Sequence, residues 1–170
     1  MSNRIPFLFR PPHIADLDRM YSILESSLSQ FLAVNETSSK NNQLIINKGT
    51  VEGYIIDSRY HTIVAEINSK IVGWLSGSSR AEILSEHGCN PGEFYLEEIV
   101  VDSAFRRKGI GSSLLSRIPL DNLEAVVIDT PLINEQAIVF YEHNGFVAVG
   151  DMPKEFSKNW VRMSKTVWNH

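Results

Sequence analysis

The chain has 170 residues and a formal net charge of -4, and its hydrophobic and charged fractions of 43% and 21% are those of an ordinary globular protein. It has one cysteine and no apolar run near the roughly twenty residues of a membrane span, which excludes an intrachain disulfide and argues against a membrane protein. No secretory segment, basic nucleic-acid face or Cys/His metal spacing is evident, so we expect a cytoplasmic protein without metal or nucleic-acid partners, folded as one domain over residues 1–170.

The first third of the chain alternates between strand-like and helix-like patterns. Residues 7–10 predict a short strand that ends at two prolines, and residues 14–28 predict a helix with its apolar residues on one stripe. Residues 35–43 are polar and predict a loop. Residues 49–57 then predict a short helix.

The rest of the chain is dominated by strand patterns. Residues 62–67 and 71–76 predict two strands, and the Asn-Ser-Lys sequence over residues 68–70 predicts a hairpin turn between them. Further strands are predicted at residues 94–101, 125–130, 147–149 and 160–167.

A glycine-containing turn follows the strand at residues 94–101 and precedes a helix predicted at residues 112–118, which Pro119 keeps short. The turn reads Arg-Arg-Lys-Gly-Ile-Gly from Arg106. Glycines let backbone N–H groups approach a ligand, and a helix N-terminus favours anions, so this turn predicts a site for a phosphorylated ligand. The alternative is a tight connection without a ligand. The dinucleotide and P-loop patterns are both absent, because Leu114 replaces the third glycine of the former and the lysine precedes Gly109.

A second motif lies behind the glycine turn. Residues 134–146 follow the pattern N-x-x-A-x-x-x-Y-x-x-x-G-F, and the turn itself follows R-x-x-G-x-G after an L-x-x-I-x-V strand. Together these motifs resemble the acetyl-CoA signature of the GNAT superfamily of N-acetyltransferases, with the close match running from Leu96 to Phe146. The helix after the turn is shorter than is usual in the family.

The resemblance implies an α/β (α+β) protein with the GNAT fold, a mixed, mostly antiparallel sheet of six to seven strands with helices on both faces. It also implies direct transfer of an acetyl group from acetyl-CoA to a primary amine, without a metal. The cofactor-binding residues so implied are Ile99, Val101, Arg106, Arg107, Lys108, Gly109, Ile110, Gly111, Ser112 and Asn134. Arg107 and Lys108 would either contact the adenosine 3′-phosphate or face solvent, and Asn134 would bind the pantetheine arm or cap a helix.

Catalysis requires a base, because an alkyl ammonium with a pKa of about 10.4 must lose a proton before it attacks a thioester. Glu97 occupies the position of the base glutamate of the polyamine acetyltransferases in the family, with Glu98 or water as alternatives. Tyr141 occupies the position of the general acid, and its alternative role is that of a packed aromatic residue.

The amine acceptor is the least determined feature. Residues 29–48 and 151–159 lie where the family recognises its acceptors, and the acidity of the chain favours a cationic small-molecule or peptide amine. The aromatic residues that would line an acceptor pocket or pack in a core are Phe31, Tyr54, Trp74 and Trp160. A non-catalytic acetyl-CoA sensor is the alternative function, and both a monomer and a homodimer are left open.

Overall fold

A computed structural model describes residues 7–34, 46–149 and 159–167 of the chain. The loop predicted at residues 35–43 and all but the last residue of the predicted acceptor segment 151–159 lie outside the described residues. The chain divides into two compact units. The first comprises Met1–Ser76 and Glu98–Ile118, and the second comprises Gly77–Glu97 and Pro119–His170.

The described parts of the chain contain seven strands and five α-helices. A 3-10 turn at Ile14–Asp16 precedes the first helix. The elements up to the third strand are β1 (Leu8–Arg10), α1 (Leu17–Val34), α2 (Lys48–Ile56), β2 (His61–Ile67) and β3 (Lys70–Ser78). The remaining elements are α3 (Ala81–Glu86), β4 (Glu93–Val101), α4 (Ile110–Leu115), β5 (Ala125–Pro131), α5 (Glu135–His143), β6 (Val147–Val149) and β7 (Trp160–Thr166).

The seven strands form one mixed sheet in the order β1-β2-β3-β4-β5-β7-β6. β4 and β5 run parallel, with Phe94 opposite Val126. The pairings of β1 with β2, β5 with β7 and β6 with β7 are antiparallel. The predicted mixed, mostly antiparallel sheet of six to seven strands is therefore confirmed, with seven strands.

Two sequence-based predictions of the helices need correction. α1 extends to Val34, so the helix predicted at residues 14–28 continues into the predicted acceptor segment 29–48. α3, over Ala81–Glu86, was not predicted at all. The predicted hairpin between β2 and β3 is confirmed, and Asn68 and Ser69 both have positive φ values, 48° and 61°, as a type I′ turn requires.

The core of the first unit surrounds Trp74, whose side chain is fully buried. The indole Nε1 donates a hydrogen bond of 3.0 Å to the carbonyl oxygen of Met20 in α1, which satisfies the one polar atom of the ring. Tyr54 lies against Trp74 with ring centroids 6.2 Å apart. These two aromatic residues therefore pack in the core and do not line an open pocket.

α5 has well-defined ends. Its first turn is capped by the Asn134 side chain, which accepts a hydrogen bond of 3.2 Å from the N–H of Ala137. Its last turn closes as a Schellman motif, in which Gly145 has a φ of 86° and the N–H of Phe146 donates to the carbonyl of Tyr141 at 3.0 Å. The rings of Tyr141 and Phe146 lie 5.5 Å apart and provide the apolar contact typical of this motif.

We predict opposite effects on stability from the same substitution at two glycines. Gly145→Ala should lower the free energy of unfolding by about 1 kcal/mol, because alanine resists the left-handed conformation that Gly145 adopts. Gly53→Ala should raise it by about 0.5–1 kcal/mol, because Gly53 lies inside α2 and an added Cβ meets no atom within 4 Å. Urea denaturation of both variants measures the two changes, and destabilisation of equal size at both positions would contradict this account.

Candidate functional site

The turn after β4 is anchored through Asp102. The Asp102 carboxylate accepts a hydrogen bond of 3.0 Å from the N–H of Ala104 and forms an ion pair with Arg19 of α1. Its own N–H donates to the carbonyl of Val72 at 2.8 Å. Partial burial raises the pKa of the Asp102 carboxyl, but the Ala104 N–H and the Arg19 guanidinium outweigh the effect of burial, so the pKa is lowered overall.

Arg106 also anchors the turn. Its Nε donates to the carbonyl of Val101 at 3.0 Å, and its Nη2 donates to the hydroxyl of Ser27 at 3.1 Å. The Arg106 guanidinium therefore binds both β4 and α1. The side chains of Arg107 and Lys108, by contrast, are exposed to solvent.

Gly109 provides the sharp entry into α4. It has a φ of 79°, and an added Cβ at this position would meet no protein atom within 4 Å. α4 begins at Ile110 and ends at Leu115, so the helix predicted at residues 112–118 starts two residues earlier and stops well before Pro119. The N–H groups of the first helical turn have no acceptor within the helix, so the loop presents donors beside an open space.

A small polar cavity lies between α1 and this turn, with a volume of about 110 Å³. Arg19, Asp102 and Arg106 line it together with several serines. Sites for small-molecule ligands usually measure about 300–1,000 Å³. The cavity is therefore too small to be the whole site of a large ligand.

Glu97 in the second unit is paired with a histidine that the sequence analysis did not single out. The Nε2 atom of His87 lies 3.1 Å from Oε1 of Glu97, and the two side chains are 23% and 13% exposed. The His87 ring stacks on the ring of Tyr95, with centroids 3.8 Å apart and an interplanar angle of 14°. The side chains of His87 and Glu97 are therefore both largely shielded from solvent.

A buried ion pair supports this arrangement. Asp129 and Arg162 face each other across β5 and β7 and form two hydrogen bonds of 2.8 Å. Asp129 also accepts a hydrogen bond of 3.2 Å from the hydroxyl of Tyr95, and Arg162 donates to the carbonyl of His87 at 2.7 Å. The hydrogen bonds with Asp129 raise the pKa of Arg162, and burial, aided by the Asp129 charge, raises the pKa of Tyr95.

The other sequence-predicted site residues have clear structural positions. Ile99 and Val101 are half-buried and alternate with buried Val100 along β4. Tyr141 is buried in α5, with 5% of its surface exposed, and Asn134 serves as the cap of the same helix. The structural roles predicted as alternatives for Tyr141 and Asn134 are thus present.

Sequence reasoning missed four residues of the second unit: His87, Tyr95, Asp129 and Arg162. One signal was available, because Asp129 lies in the middle of an apolar strand, and a buried carboxylate needs a partner. The partner itself could not be named, since Arg162 is 33 positions away in the chain.

The GNAT acetyltransferase domain model matches residues 58–148, which is more than half of the chain. The chain therefore belongs to the GNAT acetyltransferase domain family.

Two curated relatives have related sequences. N-alpha-acetyltransferase 30 of Dictyostelium discoideum is 32% identical over 91 residues, which cover 51% of this chain and 45% of the relative. An N-acetyltransferase of Methanocaldococcus jannaschii is 30% identical over 115 residues, which cover 61% of this chain and 44% of the relative. The chain spans less than half the length of these relatives.

Solved structures show the same fold. The PaiA N-acetyltransferase of Thermoplasma acidophilum, in complex with coenzyme A, has a TM-score of 0.74 at 15% identity, covering 95% of this chain and 99% of that one. The ribosomal-protein-S18-alanine N-acetyltransferase of Escherichia coli has a TM-score of 0.67 at 16% identity, covering 97% and 96%. At these identities the likeness concerns the fold alone.

The described residues contain no helix that is both long and apolar enough to cross a membrane. No group of three or more His, Cys, Asp or Glu side chains within the described ranges could hold a metal ion.

Cys89 lies in the same loop as His87, and burial raises the pKa of its thiol to about 12. Because only the thiolate is nucleophilic, we predict that iodoacetamide alkylates Cys89 at pH 8 about 10³-fold more slowly in the native protein than in the unfolded chain. The native rate should rise about tenfold per pH unit above pH 8. Mass spectrometry of quenched samples measures both rates, and a native rate within tenfold of the unfolded one would contradict the prediction.

Proposed function

We propose that this chain transfers an acetyl group from acetyl-CoA to a primary amine in the cytoplasm. The observation that carries the proposal is the turn at Gly109, which presents first-turn amides beside open space in a chain of the GNAT family. Coenzyme A is the ligand in the PaiA N-acetyltransferase structure, which shares the fold.

The turn has the properties that a pyrophosphate requires. Amides from Arg107 to Ser112, including those of Gly109, Ile110 and Gly111, would donate to phosphate oxygens, as in other backbone anion sites. Arg106 would hold the turn in shape, since its guanidinium already binds Val101 and Ser27. The exposed Lys108 would add positive charge for the 3′-phosphate.

The pantetheine arm of acetyl-CoA, which carries the acetyl group, would be bound by backbone groups of β4 and by one side chain. Ile99 and Val101 would offer backbone groups to the pantetheine arm, and Asn134 would add a hydrogen bond. The Asn134 carbonyl oxygen already accepts from Ala137, so its amide N–H₂ would be the donor to the arm.

Glu97 is proposed as the general base. Its carboxylate is mostly shielded from solvent and is held at one oxygen by His87, which leaves the other oxygen for the proton of an amine. Glu98 follows it in β4 and therefore points to the opposite face of the strand. The contact with His87 supports the assignment of Glu97 to this role.

Tyr141 is proposed as the general acid. A thiol with a pKa near 8.5 leaves more readily when a proton reaches the sulfur as the C–S bond breaks. The tyrosine is well placed for a precise role, because the Schellman motif and Phe146 fix the last turn of α5.

The acceptor is proposed to be the α-amine of a peptide N-terminus. The likeness to N-alpha-acetyltransferase 30 supports this class, and its coverage of 51% of the chain leaves polyamines and other small amines as alternatives. An α-amine has a pKa of about 7.7–8.0, so it demands less of the base than an alkyl amine does.

We predict that acetyl-CoA binding depends on the size of the residue at position 109. Gly109→Asn should keep the turn, because asparagine tolerates positive φ, whereas Gly109→Val should distort it and block the approach of a phosphate. Calorimetry should show a loss of acetyl-CoA affinity of at least about tenfold for the valine variant and a smaller loss for the asparagine variant. Wild-type affinity in both variants would show that phosphates bind elsewhere.

We predict different kinetic effects for the two adjacent glutamates. Glu97→Gln should lower kcat at neutral pH by about 10²- to 10⁴-fold with little change in acetyl-CoA affinity, and part of this loss should be recovered at high pH, where more amine is deprotonated. Glu98→Gln serves as the matched control and should retain most of the rate. The reverse result would place the base on the opposite face of β4.

A further inference from the structure

We infer that His87 is the positioning residue of the proposed base, holding Oε1 of Glu97 through an Nε2–H donor so that Oε2 receives the amine proton. This inference rests on the proposed function of Glu97. It concerns a residue in the loop after α3, outside both sequence motifs.

The contact between the two side chains determines which ring nitrogen carries the proton. A carboxylate can only accept, so the 3.1 Å contact requires that His87 donate from Nε2. The other nitrogen, Nδ1, is buried and has no hydrogen-bond partner among the described residues. A proton on Nδ1 would therefore be stranded, and the favoured form carries its single proton on Nε2. In this form His87 orients Glu97 and does not relay protons.

Three contacts hold His87 in place, two of them to its ring and one to its backbone. Glu97 binds its edge, Tyr95 stacks on its face at 3.8 Å, and Arg162 holds the backbone carbonyl of the same residue at 2.7 Å. Tyr95 is in turn bound through its hydroxyl to Asp129. A donor held in this way costs little additional ordering when the reaction occurs.

The charged groups around His87 leave Glu97 as its electrostatic partner. Asp129 on β5 and Arg162 on β7 neutralise each other. Burial raises the pKa of Tyr95 on β4 and raises that of Cys89, in the same loop, to about 12, so both are uncharged at neutral pH. The Nε2–H group of His87 therefore points its dipole at the carboxylate of Glu97.

In the proposed step, each bond that forms is matched by a bond that breaks, and each proton has a donor and an acceptor. The amine proton moves to Oε2 of Glu97 while the nitrogen forms a bond to the thioester carbon. As the C–S bond breaks, the sulfur receives a proton from the hydroxyl of Tyr141. The Nε2–H bond of His87 is present before and after the step, so His87 affects the rate only through the orientation and charge of Glu97.

The kinetic test compares His87→Phe with His87→Gln. Phenylalanine keeps the stack on Tyr95 and removes the donor, so kcat should fall about 10- to 100-fold with an unchanged KM for acetyl-CoA. Glutamine can donate from a similar position and should restore most of the rate. His143→Phe, on an exposed residue of α5, is the matched control and should behave as wild type.

A spectroscopic test separates this inference from the proposed function. In the ligand-free wild-type protein, ¹⁵N NMR should show His87 protonated at Nε2, with a slowly exchanging proton that is lost in Glu97→Ala. If this signal is present but no amine is acetylated, the proposed function fails and the positioning contact stands. An Nδ1–H tautomer, or a kcat of His87→Phe equal to that of the wild type, would overturn the inference.

Discussion

The buried pair of Asp129 and Arg162 is the interaction on which the proposed catalytic residues of the second unit depend. Asp129 is only 2% exposed, so its carboxylate requires a cation, and the antiparallel register of β5 and β7 places Arg162 directly opposite. The pair also holds the Tyr95 hydroxyl and the His87 carbonyl. Through these contacts the β5–β7 pairing holds His87, which lies 3.1 Å from the proposed base Glu97, so a strand register determines the geometry of the proposed site.

The sequence was a good guide where short-range patterns decide the structure. Runs of aromatic and β-branched residues predicted the strands, and Asn134 was foreseen as a possible helix cap because capping chemistry is local. α3 was missed because six residues are too few to show a helical period, and α1 was cut short because its end carries no stop signal. The single-domain expectation stays a prediction.

In the candidate site, the residues that lie within short sequence motifs were predictable and the others were not. The loop with Gly109 and the carboxylate of Glu97 follow from motifs, and the structure gives both a suitable local geometry. The use of Arg106 was not foreseeable, because its guanidinium binds Ser27, which lies 79 positions earlier in the chain. His87 was not foreseeable for a related reason, since its importance arises from a ring stack and from two neighbouring strands that a motif does not contain.

The central claim is that this chain moves an acetyl group from acetyl-CoA to an amine. The most direct measurement is a single-turnover reaction of the wild-type protein with radiolabelled acetyl-CoA and a panel of peptide N-termini, polyamines and aminoglycosides. The account predicts one equivalent of released coenzyme A and a labelled amine for at least one class, at a rate that increases with pH as the amine loses its proton. Tight binding of acetyl-CoA with no label transferred to any amine would contradict the account and would favour a sensor.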